Sequence, residues 1–474
     1  MNSVIKTDIA IIGAGAAGLS VAAGAAQMGA KVVLIEAGKM GGDCLNYGCV
    51  PSKALLAAAK TAQTLRNASV FGITPHEPEI DISRVMASVQ SVIKTIAVHD
   101  AVERFEKMGV HVISGIASFE DRDTLKVDHQ RIQARRFVIA TGSSAAIPPI
   151  PGLDRIQFYT NETIFNLNEN PKHLIIIGGG PISCELGQAF LLLGIKVTVL
   201  EAFHILPRDE QDLVSILRDT LIEQGLNLYE KSKILEVKST TEGIDILIEQ
   251  EGKKINIQGS HVLVAAGRTP NIKHLNLEAA GIQYNPKGIQ VDARLRTSNR
   301  RVYALGDVVG PYQFTHIASY HAGIALRNIL FRLPAKTNYT AVPWVTYTHP
   351  ELAHVGLSSA DALKQDAQAK ILTWDFSEND RAQAEYDTCG KIKLITSKKG
   401  RILGVTIVGP QAGELLIPWI SAIQGKKTVR CMTDLIVPYP TLSEINKRVA
   451  GEYYTPVLFS KRTRRLVWLL NLLG

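Results

Sequence analysis

Two cysteines five positions apart are the first residues in this chain that could do chemistry. The stretch GGDCLNYGCVPSK, Gly41 to Lys53, holds Cys44 and Cys49. On a regular helix five residues rise about 7.5 Å, beyond the usual Cα span of a disulfide, so a bridge needs irregular backbone. Gly48 and the Gly41-Gly42 turn supply that freedom. Pro51 is tolerated only near a helix start, which puts Cys49 at or beside an N-terminus, where the dipole favours a thiolate. Three chemistries compete: a dithiol that cycles, a zinc site, or two unrelated buried cysteines. Zinc wants four ligands, and no second cysteine pair completes them, so no resident metal is expected. The pattern favours the redox couple. Cys184, Cys389 and Cys431 are solitary and read as packing residues. An odd, sparse set of five cysteines in 474 residues is no secreted disulfide framework and points to a reducing cytoplasm.

A cycling dithiol needs an electron source, and the elements to hold one occur twice, at an offset of 165 residues. The first copy reads DIAIIGAGAAGLS from Asp8 and KVVLIEA from Lys31. The second reads HLIIIGGGPISCE from His173 and KVTVLEA from Lys196. Gly13 aligns with Gly178, Gly15 with Gly180, and Glu36 with Glu201, while Gly18 meets Ser183. Each copy is an apolar run, a glycine turn, a helix and a second apolar run ending in Glu, which is a βαβ unit. The first two glycines allow a tight turn and close approach to a pyrophosphate at the helix N-terminus. The acid about 20 residues on accepts from ribose hydroxyls. A carboxylate at Glu201 repels a 2′-phosphate, and no arginine follows until Arg208, so NADH is favoured over NADPH. Ile9 to Ala30 carries no charge and could pass for a signal peptide or membrane span, but its five glycines fit the phosphate-binding turn better. Two dinucleotides and a dithiol make an electron path from a nicotinamide through a flavin to sulfur.

Composition sets the outer bounds. Hydrophobic residues make up 46% and mean hydropathy is +0.08, as in a well-filled α/β enzyme of about three domains. The net charge of +8 favours solubility. With no zinc-finger spacing, RNP-like pattern or long basic run, nucleic acid is not an expected partner.

At this point the chain resembles the flavin disulfide reductases, the class I pyridine nucleotide-disulfide oxidoreductases that include lipoamide dehydrogenase, glutathione reductase and mercuric reductase. GGDCLNYGCVPSKAL carries that resemblance most specifically, and it extends to about Leu458. It implies two Rossmann-like dinucleotide-binding domains and an α+β C-terminal dimerisation domain, hence a homodimer. FAD would use residues 1–147 and 271–342, NAD(P) residues 148–270, the dimer residues 343–458, with a basic-apolar tail at 459–474. Gly13, Gly15, Gly18 and Glu36 would hold the adenosine half of FAD, and Gly115 would meet the adenine. Thr141 and Gly142 lie in the hinge ATGSSAAIPPIPG; Gly267 lies in the return crossing AAGRTPN. Asp307, in YALGDVVG, would sit near the ribityl and phosphate groups, and the helix opening near His316 would aim at the flavin pyrimidine edge. Gly178, Gly180 and Glu201 fall to NAD(H). By the same pattern Cys49 faces the flavin, Cys44 exchanges with a small-molecule acceptor, and Lys53 pairs with Glu185 beside flavin N5.

Three features depart from the pattern. Dithiol-reducing members end in His-Pro-Thr-x-x-Glu, the histidine serving as acid–base toward the partner subunit's disulfide. Here VPYPTLSEINKR puts Tyr439 at that place and keeps Glu444. A tyrosine with a pKa near 10 is a poor base at neutral pH. A metal-ion or quinone reductase is therefore the alternative to a dihydrolipoyl dehydrogenase-like activity, and a flavin-containing redox sensor is the reading outside enzymology. Mercuric reductases have tyrosine there, yet usually add a C-terminal cysteine pair, and this chain has no cysteine after Cys431. Pro181 stands where relatives often carry a tyrosine covering the nicotinamide pocket. The tail FSKRTRRLVWLLNLLG joins Lys461, Arg462, Arg464 and Arg465 to a leucine-rich end, too short to span a bilayer. It is expected either to dock on the dimer or to touch a membrane surface.

Overall fold

The computed structural model describes residues 4–473. Strand β1 (Val4–Ile12) runs into Gly13, helix α1 (Ala16–Gln27) returns over the sheet, and strand β2 (Val32–Glu36) pairs parallel with β1. Strands β3 (Val110–Ser114) and β4 (Gln130–Ile139) flank them in the order β3-β2-β1-β4. Ile9 to Ile12 are buried without alternation, as expected for a parallel strand covered on both faces. An antiparallel extension, Ala117–Phe119 with Thr124–Val127, continues from β4, and Val302–Ala304 returns late in the chain to pair parallel with it.

The second copy repeats this order. Strands β5 (His173–Ile177), β6 (Lys196–Leu200), β7 (Asn227–Tyr229) and β8 (His261–Val264) form the parallel sheet β7-β6-β5-β8. The helix Pro181–Leu192 follows β5 as α1 follows β1. An antiparallel meander over Ser232–Thr240, Gly243–Gln250 and Lys253–Gly259 takes the place of the first unit's extension. The hinge is a short antiparallel pair, Ser143–Ala145 against Arg268–Pro270.

Helix α2 (Cys49–Arg66) starts at Gly48 and packs against α3 (Pro181–Leu192) of the second unit. Lys53 Nζ lies 2.6 Å from Glu185 Oε2, and farther along Arg66 Nη1 donates to Leu192 O at 2.5 Å. Helix α4 (Thr315–Ile329) packs against α1.

A five-stranded antiparallel sheet forms the last unit, in the order Pro343–Thr346, Glu351–Gly356, Ile402–Gly409, Lys391–Thr396, Lys370–Asp375. Its core closes on Trp419, whose indole N–H donates to Asn446 Oδ1 at 2.7 Å. Among the described residues, no helix is long and apolar enough to cross a membrane.

Candidate active site

Both glycine turns and both cysteines open onto one continuous cavity of about 1870 Å³. That exceeds the roughly 300–1,000 Å³ of an ordinary small-ligand site and leaves room for two dinucleotides. At the first turn Gly13 has φ +101°, and a Cβ there would lie 2.4 Å from Ala140 O. Gly42 leans on this turn so closely that its own Cβ would meet Gly15 Cα at 2.7 Å. Glu36, at the end of β2, accepts from the Ala14 and Gly38 amides at 2.5 and 2.7 Å. The second turn matches the first: a Cβ on Gly178 would lie 2.5 Å from Ala265 O, and Glu201 accepts from the Phe203 amide at 2.8 Å. These bare backbone cradles at two helix N-termini, each with an acid at the next strand end, fit a pair of dinucleotides.

Cys44 and Cys49 are free thiols, Cys44 partly buried and Cys49 exposed to the cavity. Two helix N-termini converge on Cys49: its own α2 and that of α4, where Thr315 Oγ1 lies 3.5 Å from Cys49 Sγ. The hydrogen bond from Cys44 draws the Cys49 thiol down to about 6, helped by Thr315 and the Lys53 charge against the cost of burial. Cys44 moves the opposite way, because it is the donor to Cys49 and because it is buried beside that thiolate. One thiolate and one thiol therefore share the proton at neutral pH. Lys53 is held on three sides, by Glu185, by the Ser52 hydroxyl at 3.3 Å and by the Tyr347 ring, 4.3 Å from Nζ to its centroid. Glu185 is buried, and its second oxygen accepts from the Tyr347 amide at 3.0 Å.

The hinge carries a second polar cluster. Arg268 donates to the Ser143 hydroxyl and carbonyl, both at 2.7 Å, and pairs with Asp43 at 3.2 Å. The Ser143 hydroxyl donates to Asp307 at 2.7 Å; burial raises the Asp307 pKa, opposed by that bond and by Arg268. Asn161 donates to Asp43 at 3.0 Å, so the residue beside Cys44 is fixed from the second unit. His321, buried in α4, accepts from the Gly306 amide at 3.1 Å and meets Tyr339 Oη at 2.8 Å; burial pushes its pKa down to about 4.

Gly115, Thr141, Gly142, Gly267, Asp307 and His316 all line the cavity. Thr141 donates to Asn271 O, Gly142 O accepts from the Asn271 amide, and Gly267 O from the Ala146 amide, which ties the hinge to the return crossing. The Gly115 amide donates to Glu36 O, and His316 stacks on Phe314 with its Nε2 2.9 Å from Pro343 O. Gly18 is buried and set back from the cavity, and a Cβ there would fall 1.8 Å from Gly13 O, so it lets the helix pack closely on the turn. Tyr439 and Glu444 also lie outside this chain's cavity. Tyr439 is 71% exposed and donates to Asp380 at 3.0 Å, a bond that raises its pKa, and Glu444 opens the helix Glu444–Gly451. Thr315, Tyr347, Arg268, Ser143 and Asp43 reach the site without being singled out by any motif. Arg268 and Ser143 sit inside the two hinge stretches, and Asp43 precedes Cys44, so position was their available signal.

Residues 7–322 match the model of the pyridine nucleotide-disulphide oxidoreductases, and residues 342–450 match their dimerisation domain. A mercuric reductase of Staphylococcus aureus is 34% identical over 440 residues, covering 92% of this chain and 80% of that one. A dihydrolipoyl dehydrogenase of Thermus scotoductus is 36% identical over 444 residues, covering 92% and 95%. Among solved structures, the HOCl-induced flavoprotein disulfide reductase RclA from Escherichia coli has a TM-score of 0.85 at 28% identity, covering 94% of this chain and 99% of that one. Its Cu(II) complex gives 0.84 at 28% identity, covering 93% and 99%.

Proposed function

This chain belongs to the pyridine nucleotide-disulphide oxidoreductases, FAD-dependent enzymes with a pyridine nucleotide substrate, and from that premise we propose that it passes electrons from NADH to the Cys44–Cys49 pair and on to a small disulfide-type acceptor. The observation that carries this reading is the single cavity shared by two nucleotide turns and the sulfur pair. The first unit, with Gly13, Gly15 and Glu36, holds FAD, and Gly115, Thr141, Gly142, Asp307 and His316 line its path. Bound FAD supplies a two-electron carrier between nicotinamide and sulfur. Gly178 and Gly180 receive the pyrophosphate of NADH, and Glu201 receives its ribose and disfavours a 2′-phosphate. Lys53, paired with Glu185 and covered by Tyr347, places its charge near Cys49 and adds to the Cys44 and Thr315 hydrogen bonds in favouring the thiolate there. Cys44 retains the proton and exchanges with the acceptor. The family's dimerisation domain supports a homodimer in which Tyr439 and Glu444 face the partner's sulfur pair.

An anaerobic NADH titration tests the central relation. Two-electron reduction should produce the long-wavelength band of a thiolate lying against flavin. Bleaching of the flavin without that band would remove Cys49 from the path.

A second reading, reduction of a metal ion or quinone, draws on Tyr439. Its hydroxyl is exposed, tied to Asp380 and shifted away from the range of a neutral-pH base. An acceptor that needs no proton exchange at that position suits it, and mercuric reductases are among the relatives. Cys44→Ser separates the two: thiol exchange stops, whereas quinone reduction drawn directly from flavin survives.

A further inference from the structure

The C-terminal helix α5 (Lys461–Asn471) has no part in the cavity, and no residue in it is buried. It is a formed helix, capped by Ser460, whose hydroxyl accepts from the Thr463 amide at 3.2 Å. Leu466, Leu469 and Leu470 recur at i, i+3 and i+4, the spacing of one apolar stripe, and each is more than half exposed, as are Leu472 and Leu473 just past the helix end. Trp468, 62% exposed, stands four positions after Arg464 and shares its side of the helix rather than the leucine stripe, and Val457, Leu458 and Phe459 extend exposed apolar surface just ahead of the helix.

The charge is placed against the helix's own interest. Lys461, Arg462, Arg464 and Arg465 crowd the N-terminal half, where the dipole favours anions, and the helix contains no acid. None of the four forms an ion pair among the described residues. Four unpaired cations at a positive helix end beside a bare apolar stripe suit a ligand that is anionic at its surface and apolar beneath. We propose that α5 lies in the interface of an anionic lipid bilayer, leucines toward the acyl chains, with Trp468 and the basic residues at the level of the headgroups. Eleven residues span about 16 Å, which allows lying in the interface and forbids crossing. A second copy of this helix is the poorer occupant. The helix contains no acid, so a copy of it offers no counter-charge to the four cations.

Vesicle sedimentation of the FAD-loaded full chain tests this, with phosphatidylglycerol-containing vesicles against pure phosphatidylcholine. The full chain should pellet with the anionic vesicles alone, and Trp468 emission should shift to the blue; Trp468→Phe removes that shift. Each basic residue near an anionic surface is worth roughly five-fold in binding, so Arg464→Gln with Arg465→Gln should weaken partition about 25-fold. A chain ended at Ser460 should stay in the supernatant as a dimer with unchanged NADH oxidation. Equal recovery in the supernatant with both vesicle types at low ionic strength overturns the proposal. So does a shortened chain that falls to monomer while the full chain ignores vesicles, which would give the helix to the second subunit.

Discussion

The two glycine turns begin alike and are packed differently. Gly13 and Gly178 meet the carbonyls of Ala140 and Ala265 at nearly the same distance, and both sheets share one strand order. Around the first turn, however, Gly18 presses on Gly13 and Gly42 presses on Gly15. Around the second, Gly180 has no atom within 4 Å of a hypothetical Cβ, and Ser183 is accepted where Gly18 stood. Among the described residues, the buried Ser183 hydroxyl has no hydrogen-bond partner. Crowding suits a cofactor that stays, and an open turn suits a nucleotide that comes and goes at every cycle.

Gly18→Ala should break the first turn outright. The obstacle is backbone at 1.8 Å, overpacking costs about 1–3 kcal/mol or more, and the expected product melts early and emerges from purification without flavin. Retention of full flavin content would show that the first turn is no tighter than the second. Acid separates the units next. An ordinary histidine titrates near 6.5 and His321 near 4, so the unfolded chain takes up the proton first. Stability from this group is complete above about pH 6.5 and declines as pH falls toward 4, by up to ~3 kcal/mol. Flavin release followed against pH should steepen over that window, and His321→Gln should flatten it.

Smaller effects belong to the second turn. Glu201→Gln removes the repulsion of a 2′-phosphate and should raise the NADPH-to-NADH ratio of kcat/KM about ten-fold, with flavin content unchanged. An unaltered ratio would leave nicotinamide choice to Arg208, which also lines the cavity. Ser183→Ala relieves an unpaired buried hydroxyl and should raise the melting point slightly, by about 1 kcal/mol of stability. A drop instead would mean that the hydroxyl has found a partner.

Local pattern carried most of the fold. The repeat showed in glycine spacing and apolar runs, and Pro51 marked the start of α2 at Cys49. Family motif positions pointed to Lys53 and Glu185, which lie 132 residues apart and meet at 2.6 Å. Contacts without a period or motif stayed hidden. Thr315 reaches Cys49 across 266 residues, and Tyr347 reaches Glu185 across 162. Nothing near a threonine in sequence says that its helix will end on a sulfur. Gly18 is set back from the cavity for a reason the sequence does not carry: a glycine that admits a ligand and one that admits a helix look the same in one dimension.

The paired helices α2 and α3 are fastened twice, by Lys53 to Glu185 and by Arg66 to Leu192. One begins at Cys49 and the other at the second glycine turn, so the two travel as a single beam. Any swing of the nucleotide half away from its neighbour must drag Cys49 off Thr315 or tear both fastenings. The reach from the second glycine turn to Cys49 is thus a length cut into the scaffold, shielded from the thermal wandering of loops.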